Sequence, residues 1–131
     1  MIAKQLSVYV ENKPGKLVEK IKALADNKVD LRAMCIAESE DFGILRLIVS
    51  DMVAAKKALC EGSLLTETDV IVVETDNSPS ALYNILDALS SAKINVEYMY
   101  AYTTAHSGAN VVLRVKDCTA AQKALTAKGI K

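Results

Sequence analysis

The chain has 131 residues, 51% of them hydrophobic and 24% charged, with 16 basic side chains set against 16 acidic ones. This is an ordinary globular composition, and a net charge of zero without a basic stripe excludes a nucleic-acid binder. No apolar run approaches the roughly 18 residues that cross a bilayer, and Met1-Ile2-Ala3-Lys4-Gln5 lacks the apolar centre of a signal peptide, so a cytoplasmic protein without membrane contact is expected.

Leu6, Val8 and Val10 alternate with polar positions and predict a strand. Asn12-Lys13-Pro14-Gly15 then gives a turn. Leu17, Val18, Ile21, Leu24 and Ala25 follow at helical steps, with Pro14 suited to the first helical position. Val29 to Glu38 and Ile44 to Val49 predict two strands around a hairpin at Ser39-Glu40-Asp41-Phe42-Gly43. Asp51 suits the cap of a second helix, Met52 to Cys60, whose buried edge is mostly alanine, and Leu64 to Thr68 reads as a fourth strand.

The same order then repeats. Val70 to Glu74 predicts a strand, Ser78 caps a helix starting at Pro79, and Leu82, Leu86 and Leu89 line it. Ile94 to Tyr102 and Ala109 to Val115 pair around a loop holding His106-Ser107-Gly108. Asp117 or Thr119 caps the last helix, through about Lys128, which leaves Gly129-Ile130-Lys131 as a stub of a fourth strand. The missing strand predicts a sheet edge that another element, or another chain, must cover.

The repetition is visible residue by residue. Pro14 answers Pro79, Leu17 answers Leu82, Leu24 answers Leu89, Met34 answers Met99 and Gly43 answers Gly108, all 65 apart, with a slip of one residue beyond Gly108. Each half therefore reads β-α-β-β-α-β. Right-handed crossovers put both helices on one face of a four-stranded antiparallel sheet, so the expected fold is α+β with two tandem ferredoxin-like units, residues 1–68 and 69–131.

The strand-to-helix turns are the candidate ligand sites. A helix start offers unpaired N–H groups and partial positive charge, suited to a carboxylate. In the first copy the turn holds Asn12, Lys13, Pro14 and Gly15; in the second it holds Asp76, Asn77, Ser78, Pro79 and Ser80. The start of each second strand is expected to face the turn, bringing Asp30 and Leu31 or Asn95 and Val96 to it. Asn side chains both donate and accept, and Asp30 would receive an ammonium group.

With these residues in place the chain resembles the ACT domain, a small βαββαβ regulatory module that binds amino acids, commonly between two units. Glu11-Asn12-Lys13-Pro14-Gly15 followed by Val29-Asp30-Leu31 or Ile94-Asn95-Val96 is similar to the serine-sensing ACT domain of phosphoglycerate dehydrogenase. That pattern reads His-x-Asn-Arg-Pro-Gly and later Val-Asn-Ile, and both Asn side chains contact the effector. The resemblance implies effector contacts at Asn12 and Asn77, and at Asp30 and Asn95. The His position falls on Val10 and Thr75, so that contact is lacking. The second copy also has Ser80 in place of the glycine.

The resemblance implies a non-enzymatic amino-acid sensor, and the exposed sheet edges, which invite a second copy, predict a homodimer. The alternative is a ligand-free module of the same fold that binds a protein partner or drives oligomerisation. The truncated strand and the alternating Tyr98, Tyr100 and Tyr102 point that way, the tyrosines forming a sticky patch if they face away from the helices. An acylphosphatase-like hydrolase would need arginines in the turns, and Arg32, Arg46 and Arg114 stand elsewhere. Cys35, Cys60 and Cys118 lack metal-ligand spacing and read as buried reduced thiols, His106 reads as a solvated loop residue, and no metal or cofactor is expected.

Overall fold

In the computed structural model, residues 1–103 and 108–131 are described; His106 and Ser107 lie outside them. In chain order the elements are β1 (Ile2–Glu11), α1 (Lys16–Asp26), β2 (Leu31–Glu38), β3 (Phe42–Val49), α2 (Met52–Leu59), β4 (Leu65–Asp76), α3 (Pro79–Ser91), β5 (Tyr98–Thr103), β6 (Gly108–Arg114) and α4 (Cys118–Ala127). The chain is α+β, with antiparallel strand pairing, and divides into two compact units.

The first unit is Lys4–Thr68, with strand order β2-β3-β1-β4. Alternation along β1 sends Leu6, Val8 and Val10 to one face, where they meet Leu45 and Leu47 of β3. Leu24 of α1 and Ala55 and Leu59 of α2 close over this layer, so both helices share the face. Asp51 caps α2 by accepting the Ala54 N–H at 3.0 Å, as its sequence position predicted.

The second unit is Met1–Ala3 with Asp69–Lys131, in the order β1-β4-β6-β5. Ile71, Val73, Val111 and Leu113 form the sheet side of its core, and Ile85, Leu89, Ala121 and Leu125 form the helix side. Asp117, rather than Thr119, caps α4 through the Ala120 N–H at 3.0 Å.

The missing fourth strand is replaced by the first residues of the chain. The Val72 N–H donates to the Met1 carbonyl at 2.8 Å, and the Met1 amino group donates to the Val72 carbonyl at 3.0 Å. The stub at the other end forms no strand. Gly129 takes a left-handed φ of 74°, the Ile130 N–H returns to the Leu125 carbonyl at 3.0 Å, and Ile130 packs on the core. This is a helix stop with its hydrophobic contact.

Three sequence readings change. The strands expected at Leu64–Thr68 and Val70–Glu74 are one strand, β4, because Thr66-Glu67-Thr68-Asp69 contains neither Gly nor Pro to break it. Pro14 does not open α1: the helix begins at Lys16, after Gly15 at φ 86°. The inserted residue lies before Gly108, not beyond it. Glu11 pairs with Phe42 where Asp76 pairs with Gly108, so Gly108 corresponds to Phe42 and Ala109 to Gly43, 66 apart. The hairpin loop absorbs the extra residue, where length changes cost least.

Candidate ligand site

The two turns share an Asn and a Pro but are built differently. In the first copy the Asn12 N–H donates to the Asp41 carbonyl at 3.0 Å, and its side-chain Nδ2 donates to the Ser39 carbonyl at 3.0 Å. Asn12 thus ties the turn to the β2–β3 hairpin. Gly15 supplies a left-handed residue ahead of α1, which has no side-chain cap and carries Glu19 in its first turn. Lys13 pairs with Glu11 at 3.2 Å and Lys16 stands 4.0 Å from Glu19. The positive end of this helix already has a carboxylate beside it.

In the second copy α3 starts at Pro79, directly after the turn. Ser78 is extended and accepts the Ala81 N–H at 3.3 Å, and no acidic residue occupies the first turn. Pro79 has no N–H to lose, so this is a well-formed helix start whose partial positive charge no first-turn carboxylate offsets.

Beside this start lies a cleft of about 300 Å³, lined by Thr75, Asp76, Asn77, Ser78, Pro79, Leu82, Ala101, Ala109 and Val111. Every lining residue belongs to the second unit. Its rim is the polar turn and its floor is apolar, the usual division of labour in small-molecule sites. Ser80 lies outside it, in an adjoining hollow of about 200 Å³ with Asn84 and Ile130.

The corresponding place in the first copy carries a larger side chain, Ile36, which stays 44% exposed. Ile36 stands where the second copy has Ala101, and Gly43 where it has Ala109. The Ile36 side chain covers Gly43 so closely that a Cβ there would meet its Cγ1 and Cδ1 at 3.2 Å. Ala101, Ala109, Leu82 and Val111 were missed in the sequence. Setting Ala101 against Ile36, 65 residues apart, is the signal that finds them.

The strand registers also correct the expected meeting of each turn with the start of the next strand. Asn12 sits at the hairpin end, where Glu38 pairs with Gly43, whereas Leu31 pairs with Val49 at the far end of β2. Seven residue steps of strand separate those ends, roughly 20 Å. Asp30 is held at its own end by Ser50, whose hydroxyl accepts the Asp30 N–H at 3.1 Å and whose N–H donates to the Asp30 carbonyl at 2.9 Å. In the second copy Asn95 precedes Tyr98, which pairs with Arg114, while Asn77 follows Asp76, which pairs with Gly108 at the opposite end of β6. Leu31 and Val96 pack against their unit cores, which accounts for both without a ligand.

The described residues hold no cluster of three or more His, Cys, Asp or Glu suited to a metal. Of the three cysteines expected to be buried only Cys118 is, while Cys35 is half-buried and Cys60 is exposed at the C-cap of α2; burial pushes the Cys118 thiol above its ordinary pKa. No helix of the described residues is long and apolar enough to cross a membrane.

The family model described as an ACT domain pair matches residues 1–130. The crystal structure of protein BT0572 from Bacteroides thetaiotaomicron is similar over 100% of this chain and 91% of its own, at 42% identity and a TM-score of 0.93. The ligand-free regulatory subunit of aspartate kinase from Thermus thermophilus matches over 97% of this chain and 96% of its own, at 16% identity and a TM-score of 0.69. At that identity the second likeness shows the fold alone. No curated protein matches the chain in sequence.

Proposed function

Because the chain belongs to the ACT domain pair family, we propose that it is a non-enzymatic regulatory protein that binds a free amino acid at the β4–α3 turn of its second copy. The observation that carries this reading is the asymmetry at equivalent places: an open cleft over Ala101 and Ala109 in one copy, Ile36 packed on Gly43 in the other. The ligand carboxylate would meet the start of α3, where Ser80 N–H lies in the first turn, and Asn77 would hold its polar end. A small or medium apolar side chain would rest on Leu82, Ala101 and Val111.

Asn95 reaches such a ligand only from outside its own unit, so a second copy of the chain would supply it. On this reading residues 1–68 and 69–131 are the two domains, and only the second is a sensor. Lys13, Pro14 and Gly15 then serve turn structure in the first domain, with Asn12 as their tie to the hairpin. We assign the protein to the cytoplasm, where amino acids are metabolised and its cysteines would stay reduced. Binding would transmit a signal by favouring one of two packings between copies.

The test is a thermal-shift screen of the twenty amino acids at millimolar concentration. At least one should raise the melting temperature of the wild type, and the rise should be smaller in Asn77→Ala. If none does so, the sensor reading fails and the interaction-module alternative stands in its place.

A further inference from the structure

One residue in the wall of the second-copy cleft differs from its first-copy counterpart by a single group. Thr75 follows the core residue Val73 by two positions, so it faces the helix-covered side of the sheet, paired with Ala109. It is half-buried and lines both the 300 Å³ cleft and the adjoining 200 Å³ hollow. At the same place in the first copy stands Val10, paired with Gly43 and buried in the core. Both side chains are β-branched and alike in shape, so the change amounts to a hydroxyl in place of a methyl.

Among the described residues neither the Thr75 hydroxyl nor the Asn77 side chain has a hydrogen-bond partner, whereas Asn12 gives its amide to the Ser39 carbonyl. At these two places the first copy offers a methyl and a committed amide; the second offers two polar groups with bonds to spare. A ligand that fills the cleft takes the Thr75 hydroxyl out of solvent. It must then present a hydrogen-bonding group at that depth or lose affinity.

The ligand reading above, on which this inference rests, leaves one group of the amino acid unassigned. The carboxylate goes to the start of α3 and the side chain to Leu82, Ala101 and Val111, while the ammonium has no partner. Asp30 was expected to receive it, but Ser50 holds that residue at the far end of β2 in the first unit. Asp76 lies at the rim of the cleft, yet strand alternation directs its side chain to the face opposite Thr75. We propose that Thr75 recognises the α-ammonium of the ligand, its Oγ1 accepting one N–H, and so restricts the cleft to acids that carry a free amine on the α-carbon. Three groups on one carbon then meet three separate parts of the site. A carboxylic acid of the same skeleton without the amine leaves the hydroxyl against hydrocarbon.

Isothermal titration of the full chain with alanine, valine and leucine, each beside the carboxylate that lacks its amine (propionate, isovalerate, isocaproate), tests this. In the wild type the amino acid should bind about tenfold tighter than its carboxylate, or more. Thr75→Val introduces the side chain that the first copy already accommodates, so the fold should persist. It should weaken amino-acid binding about tenfold and leave carboxylate binding within about twofold. Thr75→Ser keeps the hydroxyl and should stay within about threefold of the wild type for both. If none of the three amino acids binds, the cleft is not a site for them and Thr75 has no such role. Three other outcomes overturn the role of Thr75 alone and leave the cleft standing: a carboxylate that binds as well as its amino acid, equal weakening of both by Thr75→Val, or loss of the discrimination in Asp76→Asn rather than in Thr75→Val.

Discussion

The turns at Asn12 and Asn77 look interchangeable in one dimension and are not in three. Each is an Asn two residues ahead of a Pro, yet one helix starts at Pro79 under a Ser78 cap and the other waits until Lys16 behind a left-handed Gly15. Asn12 spends its side-chain donor on the hairpin carbonyls, and Ile36 covers the space beside it. A shared motif therefore fixes the bend of the chain but not what stands over it. The deciding residue lies on the next hairpin, Ile36 against Ala101, far along the sequence from either motif.

The largest effect should come from erasing that difference. Ala101→Ile gives the second copy the side chain of the first and fills part of a 300 Å³ cleft. Ligand affinity should fall by about 100-fold or more, since the added side chain takes space on the cleft floor that the ligand needs. Isothermal titration with whichever amino acid stabilises the wild type measures it. Unchanged affinity would place the ligand elsewhere.

A second contrast is how the two sheets are completed: β4 does so for the first unit, while three residues at the start of the chain do so for the second. Deleting residues 1–3 removes the paired Met1–Val72 backbone bonds and exposes the flank of Ile71. Stability to urea should fall by about 2 kcal/mol, at roughly 1 kcal/mol per lost bond. Hydrogen exchange should locate the loss at Val72, with Leu45 and Leu47 of the first unit unaffected.

Much of this fold was legible in the sequence, because periodicity and capping are local signals. Asp51, Ser78 and Asp117 cap the helices they were read to cap, and Leu6, Val8 and Val10 reach the core their alternation implies. The errors arose where local signals compete or are absent. Pro14 suits a helix start, but Gly15 beside it adopts φ 86° and delays the helix. Asp30 is near Asn12 in the chain order of the motif, yet strand direction carries it to the other end of the sheet. The cleft was invisible for a similar reason: alanines carry no chemical signature, and only the comparison with Ile36 gives Ala101 meaning.

Asn12 and Asn77 offer a finer test of the divergence. Asn12→Ala removes a side-chain donor held at 3.0 Å by the Ser39 carbonyl, with Glu40 at 3.4 Å. It should cost about 1 kcal/mol of stability and leave amino-acid affinity unchanged. Asn77→Ala should do the reverse, weakening affinity by about tenfold while denaturation stays within about 0.5 kcal/mol of the wild type. The double comparison separates a structural asparagine from a ligand-facing one. Equal behaviour of the two variants would mean that the copies had not diverged.

The smallest difference concerns three helix ends. After α4 the left-handed residue is Gly129, φ 74°, and the Ile130 N–H returns to Leu125 at 3.0 Å. After α1 and α3 the same motif recurs, with Val29 bonded to Leu24 at 3.0 Å and Ile94 bonded to Leu89 at 2.9 Å. Their left-handed residues are Lys28 at φ 56° and Lys93 at φ 59°. A side chain with a Cβ pays a steric penalty of about 1–2 kcal/mol in that region, which glycine avoids at some cost in unfolded-state entropy. Lys28→Gly and Lys93→Gly should therefore each stabilise the protein by about 0.5–1 kcal/mol, read as a higher urea midpoint at constant slope. Both lysines are exposed at the helix C-terminal end, so some favourable dipole interaction is lost as well. A net destabilisation at either site would show that this charge, rather than backbone strain, decides the residue at these two stops.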